Sequence, residues 1–191
     1  MDIHALTPER LHDFLSFFDD VAFSDHKEWS WCYCTFFHLG CADEKRIEEE
    51  HKDILLRNNA IRLVNDATIQ GYLAYEDGAV IGWLNANDKK NYAKLCERAE
   101  LWDDTADART KAVTCFIVAP QMRRKGLATA LLDRAIADAA LAGYDFIEAY
   151  PANGALDCFQ HYHGHPQMYE AHGFACVKVF EYDCLYRKAL K

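Results

Sequence analysis

The chain has no apolar run long enough to cross a bilayer, and Met1 to Glu9 holds no basic segment followed by an apolar stretch. These absences lead to the expectation of a cytoplasmic protein with no membrane partner. There is no excess of positive charge either, since 21 Lys and Arg face 30 Asp and Glu, for a net charge of -9. A general nucleic-acid binder needs a basic surface, so nucleic acid is not expected as a partner. Two familiar phosphate loops are missing: no Gly-x-x-x-x-Gly-Lys-Ser/Thr occurs, nor does the three-glycine dinucleotide pattern. The eight cysteines do not fall in the paired C-x₂-C spacing of structural zinc, and without a secretion signal they read as free thiols. Internal repeats and low-complexity segments are also lacking. With 191 residues, 51% of them hydrophobic, the simplest reading is one folded domain over 1–191.

What is present is organised around one strand, loop and helix. Lys111 to Val118 is a short, nearly continuous apolar run rich in β-branched residues, the pattern of a strand buried on both faces. Pro120 closes it. From Leu127 the apolar residues recur at helical spacing through Leu131 or Leu132, Ala135 or Ile136, and Ala139. Between strand and helix lies Gln121-Met122-Arg123-Arg124-Lys125-Gly126-Leu127-Ala128-Thr129. A helix N-terminus reached this way leaves N–H groups without intrahelical partners at the positive end of the helix dipole, where phosphate is attracted. Gly126 lets backbone approach a pyrophosphate with no Cβ in the way, Ala128 is nearly as small, and Arg123, Arg124 and Lys125 add charge at the rim. The plainer alternative is small residues at an ordinary helix start with solvated basic side chains.

The rest of the chain places elements around this unit. Met1 to Leu6 is long enough for a short edge strand, and Thr7-Pro8-Glu9 starts a helix with a capping hydroxyl. Trp29 to His38 concentrates aromatics and thiols and reads as an ordered loop or short strand near a pocket. A helix begins at Asp43, with Ile47, Ile54 and Leu55 inward, and extends towards Val64. Tyr72–Glu76 and Ala79–Leu84 are strands joined at Asp77-Gly78, a two-residue hairpin signal. Residues 87–109 are polar and charged. Tyr144–Tyr150 is a strand with Phe146, Glu148 and Tyr150 on one face, and Pro166 to Gly173 is a short helix before two final strands. This order predicts a mixed α/β sheet covered by helices.

The run Arg123-Arg124-Lys125-Gly126-Leu127-Ala128 after an apolar strand resembles the Arg/Gln-x-x-Gly-x-Gly/Ala signature of the GNAT superfamily of acyl-CoA-dependent N-acyltransferases. Met168-Tyr169-Glu170-Ala171-His172-Gly173-Phe174 resembles that family's late helix, commonly Leu-Tyr-Glu-x-x-Gly-Phe. Cys32-Tyr33-Cys34, Gly82-Trp83-Leu84-Asn85 and Glu148-Ala149-Tyr150-Pro151 further look like a largely uncharacterised bacterial subgroup.

The resemblance implies an α/β GNAT-like fold, with a mixed, mostly antiparallel sheet flanked by helices and splayed central strands. It implies acetyl-CoA as co-substrate and transfer of the acetyl group to a primary amine of a small molecule or peptide by direct attack on the thioester; no metal is expected, since the Cys and His spacings do not match structural zinc. Ile117 and Val118 would lend backbone groups to the pantetheine and thioester, and Gln121 to Thr129 would hold the pyrophosphate. Tyr169 matches the usual general acid, although Tyr162 and His165 stand where the family often has Asn and Ala, and the preceding loop is expanded. Glu148, on a strand bordering the implied cleft, is the first candidate base, ahead of Asp88, Glu100, Asp103, His38 or a water chain. Trp31, Tyr33, Trp83, Asn85 and Tyr150 are candidates for the acceptor pocket, with Trp29, Phe36, Phe37 and Tyr92 as further aromatics. The assembly expected is a monomer or homodimer. Competing readings are an acyl-CoA-binding sensor without turnover, a metal site at Cys32, Cys34, His38 and Cys41 or at His161, His163 and His165, and a covalent cysteine mechanism.

Overall fold

The computed structural model describes residues 1–40, 52–102, 105, 107–154 and 158–191. Its elements are β1 (Asp2–Ala5), α1 (Leu11–Ser16), α2 (Lys52–Asn65), β2 (Gly71–Glu76), β3 (Ala79–Asp88), α3 (Ala93–Cys96), β4 (Thr110–Val118), α4 (Leu127–Leu141), β5 (Phe146–Ala149), α5 (Pro166–Ala171), β6 (Ala175–Val179) and β7 (Cys184–Ala189). Among the described residues the strands form one sheet in the order β1-β2-β3-β4-β5-β7-β6. Every pairing is antiparallel except β4 with β5. The expected mixed, mostly antiparallel sheet is thus observed.

Local chemistry accounts for several joints. Asp77 and Gly78 both take positive φ, 51° and 79°, as a tight hairpin turn between right-twisted strands requires. The sheet is covered on both faces. Leu73, Trp83 and Cys115 point towards Phe14, Phe17, Phe18, Leu56 and Leu63 on one side. Tyr72, Leu84, Val113 and Phe116 meet Leu127, Leu131 and Leu132 of α4 on the other. Burial of β4 on both faces explains its lack of alternation.

One irregularity shapes the centre. Asn85 pairs with Cys115 but Ala86 pairs with Val113, so Thr114 is an extra residue in β4. Such a bulge resets the side-chain alternation, which is why Val113 and Phe116 share a face. β5 accompanies β4 only from Thr110 to Val113. Beyond Val113 the two strands part, and the segment before α5 comes alongside: the ring Nδ1 of His163 is hydrogen-bonded to the Thr114 carbonyl.

Some expectations require correction. The Thr7 side chain makes no cap bond, and a 3-10 turn, Pro8–Arg10, precedes α1. Of the two readings of Trp29 to His38, the ordered loop holds and the short strand does not: the segment carries two 3-10 turns, Lys27–Cys32 and Phe36–His38. Tyr33 and Cys34 between them are left-handed, with φ of 45° and 48°. Ile54 is 63% exposed, while Leu56, Ala60, Leu63 and Val64 form the buried stripe of α2. The expected helix start at Asp43, with Ile47, lies outside the described residues, as do Cys41 and Asp103.

Candidate active site

The loop after β4 is built to present backbone. Pro120–Met122 makes a 3-10 turn, Arg124 is left-handed at φ 62°, and Gly126 caps α4 at φ 83°. The first intrahelical bond runs from the Ala130 N–H to the Gly126 carbonyl. The N–H groups of Leu127, Ala128 and Thr129 therefore have no intrahelical acceptor. A Cβ placed on Gly126 would meet nothing within 4 Å, so the glycine is there for its backbone angle and for open space above it. Arg123 is fixed differently from its neighbours. Its Nη2 lies 3.1 Å from Asp25 and its Nε donates to the Val118 carbonyl at 3.3 Å, and the guanidinium holds the Asp25 carboxyl below its usual range. Most of its charge is thereby balanced, leaving exposed Arg124 as the cation facing the opening.

A cavity of about 1140 Å³ starts at this loop and continues to an aromatic wall. Ile117, Val118, Met122, Arg123, Arg124, Gly126, Leu127, Ala128 and Thr129 line it, as the sequence suggests. Gln121 and Lys125, also expected at the phosphates, are exposed and do not line it. The same cavity is lined by the aromatics Phe23, Trp29, Trp31, Phe36 and Phe37 and by Cys32, Cys34 and Cys115.

Of the acceptor candidates Trp31, Trp29, Phe36 and Phe37 line this space, whereas Tyr33, Trp83, Asn85, Tyr150 and Tyr92 do not. Trp83 is fully buried beneath it, edge-on to Phe14 with ring centroids 5.0 Å apart. Tyr33 donates to Asp19, which Arg57 holds at 2.8 Å. Asn85 shapes the wall from behind: its Nδ2 donates to the Cys34 carbonyl at 2.9 Å and its Oδ1 accepts from Tyr92 at 2.7 Å. Tyr150 donates to Glu148 at 2.9 Å.

Glu148 lies off the cavity, at the centre of an internal charge network. Lys89 Nζ and Arg187 Nε each approach its carboxylate to 2.8 Å. Lys89 also donates to the Leu101 carbonyl and sits 4.4 Å from the Trp102 ring centroid. Two cations and a phenol occupy the carboxylate oxygens, so the structure does not bring this group to a substrate. Tyr169 is likewise fully buried, and its hydroxyl donates to the His163 carbonyl. Gly164 permits that approach: at φ 82°, a Cβ there would stand 2.7 Å from the Tyr169 oxygen. Burial, and then Cys115, raise this phenol well above its ordinary range. Asp88, Glu100 and His38 also lie off the cavity lining.

The groups that sequence spacing did not single out for this site are His161, Tyr162, His165, Gln167 and Met168, all on the lining. The histidine-rich insertion before Tyr169 was the available signal. Burial pushes the Cys32 thiol up to about 11 and the Tyr162 phenol up to about 12. Cys34 is raised further still, its Sγ 3.0 Å from that of Cys115. Protonated thiols are poor nucleophiles, so Cys32 and Cys34 are not poised for covalent catalysis. Among the described residues no group of three or more His, Cys, Asp or Glu is gathered closely enough to hold a metal.

The parted β4 and β5 thus lie beside one cavity that carries both an amide-lined loop, suited to an anionic group, and an aromatic wall. Residues 21–174 match the acetyltransferase (GNAT) family, and the chain belongs to it. The fold recurs in solved structures. An N-acetyltransferase from Staphylococcus aureus Mu50 is 16% identical, with 100% of this chain and 98% of that one covered and a TM-score of 0.56. A GNAT-family acetyltransferase from Listeria monocytogenes 4b F2365 is 15% identical over 98% and 94%, with a TM-score of 0.59. The PaiA N-acetyltransferase from Thermoplasma acidophilum, solved in complex with coenzyme A, is 17% identical over 99% of each chain, with a TM-score of 0.52. At such identities the likeness concerns the fold alone. No curated protein matches the chain. No helix among the described residues is long and apolar enough to cross a membrane.

Proposed function

We propose that this chain transfers the acetyl group of acetyl-CoA to a primary amine by direct attack on the thioester. The observation that carries the reading is the single cavity joining the amide loop at Gly126 to the aromatic wall past Ile117 and Val118. The open space above Gly126 and the N–H groups of Leu127, Ala128 and Thr129 fit a pyrophosphate, with Arg124 beside it. When bound, acetyl-CoA supplies the activated acyl group. The half-buried backbone of Ile117 and Val118 would orient its pantetheine arm, because β5 no longer pairs with β4 there. Orientation and a polarised carbonyl then account for most of the rate.

Calorimetric titration of acetyl-CoA tests this. Micromolar binding is expected, with at least about tenfold loss in Ala128→Glu, because a carboxylate in the first turn favours the helix but repels phosphate. Gly126→Glu should lose binding too. Full affinity in folded Ala128→Glu removes the pyrophosphate assignment. Binding with no CoA release across a broad amine panel favours a sensor instead.

A further inference from the structure

The cavity carries an unused pair of imidazoles. His161 and His165 line it with ring centroids 3.8 Å apart and planes 30° from parallel. Other histidines near the centre are committed to structural bonds: His163 Nδ1 to the Thr114 carbonyl, His38 Nδ1 to the Asn91 carbonyl, and His172 Nδ1 to the Met168 carbonyl. The Nδ1 of His161 is enclosed and has no hydrogen-bond partner among the described residues. Among the described residues no Asp or Glu is on the lining, whose permanent charges there are Arg123 and Arg124. A cationic acceptor there meets two arginines and no counter-charge among the described residues, which favours the form that has given up a proton.

Resting on the acetyl-transfer reading, we propose that the acceptor is a primary alkylamine bearing an aromatic ring, seated against Trp29, Trp31, Phe36 and Phe37, and that His161, stacked on His165, takes the proton from its ammonium group. The alternatives on the lining are unsuitable: arginine stays protonated, and the Tyr162 phenol and the Cys32 and Cys34 thiols are raised. Arg124 is the charged group that acts on the pair through His165, and Tyr162 and the thiols of Cys32, Cys34 and Cys115 share the cavity lining with it. Burial, His161 and Arg124 lower His165. The step balances. The ammonium passes one proton to His161, and the nitrogen lone pair forms the N–C bond while the C–S bond breaks. The nitrogen's second proton leaves with the sulfur as thiol, and His161 returns its own to water.

The test compares two probe acceptors, 2-phenylethylamine, an ammonium at neutral pH, and 4-methoxyaniline, already neutral. In His161→Gln, kcat/KM for 2-phenylethylamine should fall roughly 100-fold or more, whereas 4-methoxyaniline falls by less than about tenfold. Unchanged acetyl-CoA affinity in the variant reports that the fold and cosubstrate end are intact. Equal losses for both amines make His161 structural, and no loss places the base elsewhere; either overturns the proposal. Acetyl-CoA binding without transfer to either aromatic amine overturns it alone, while absence of acetyl-CoA binding overturns the acetyl-transfer reading with it.

Discussion

Replacing Glu148 with Gln separates an internal carboxylate from a catalytic one. Glu148 and Lys89 are 0% and 1% exposed, and Arg187 is 9% exposed, so the variant leaves two cations without their counter-charge in a site water cannot reach. Removing one partner of a buried ion pair costs about 3–5 kcal/mol. For a chain of this size that lowers Tm by roughly 6–20 °C. The loss should fall in the upper half of the range, because Tyr150 also donates to this carboxylate and a charge-accepting oxygen is lost to it as well. A Lys89→Met, Glu148→Gln double variant should recover about 1–3 kcal/mol through coupling of the pair. Thermal and urea unfolding measure both. Acetyl transfer per folded molecule should stay within about tenfold of wild type, since the carboxylate does not line the cavity. An unchanged Tm with activity down a thousandfold would refute the reasoning and return Glu148 to the role of base.

Tyr169→Phe should cost about 1 kcal/mol, the net worth of the bond to the His163 carbonyl, and leave acetyl transfer within about tenfold; loss of turnover at full stability would make the phenol the acid that protonates sulfur. Acid should destabilise the fold through His38 and His163, both lowered by burial from 6.5 to about 4. Between those values the unfolded chain binds more protons than the folded one, so stability is full above pH 6.5 and falls as pH drops, by up to about 1.4 kcal/mol per unit for each histidine. Urea midpoints at pH 7, 6 and 5 measure this, and a flat profile would count against neutral, buried rings.

The sequence by itself determined the features whose causes are local. A doubly buried strand, a glycine and an amphipathic helix are written into Lys111 to Ala140, so β4, the loop at Gly126 and α4 could be placed without coordinates. Asp77-Gly78 announced its hairpin through the backbone angles those residues tolerate. Which groups meet in space was decided by the tertiary structure. The alternation that put Glu148 towards a cleft says nothing of Lys89 and Arg187, whose arrival from distant segments encloses it. Tyr169 stands on its expected helix, yet its hydroxyl is claimed by a carbonyl of the insertion before it. Trp83 sits on β3 as expected and Asn85 on the same strand, which runs past its expected end at Leu84, but both lie behind the wall, because Tyr33 and Cys34 adopt left-handed angles that bring the aromatic segment across them. Periodicity reports which face a residue occupies; whether that face meets a cavity, a counter-ion or another side chain depends on long-range packing that no local pattern encodes.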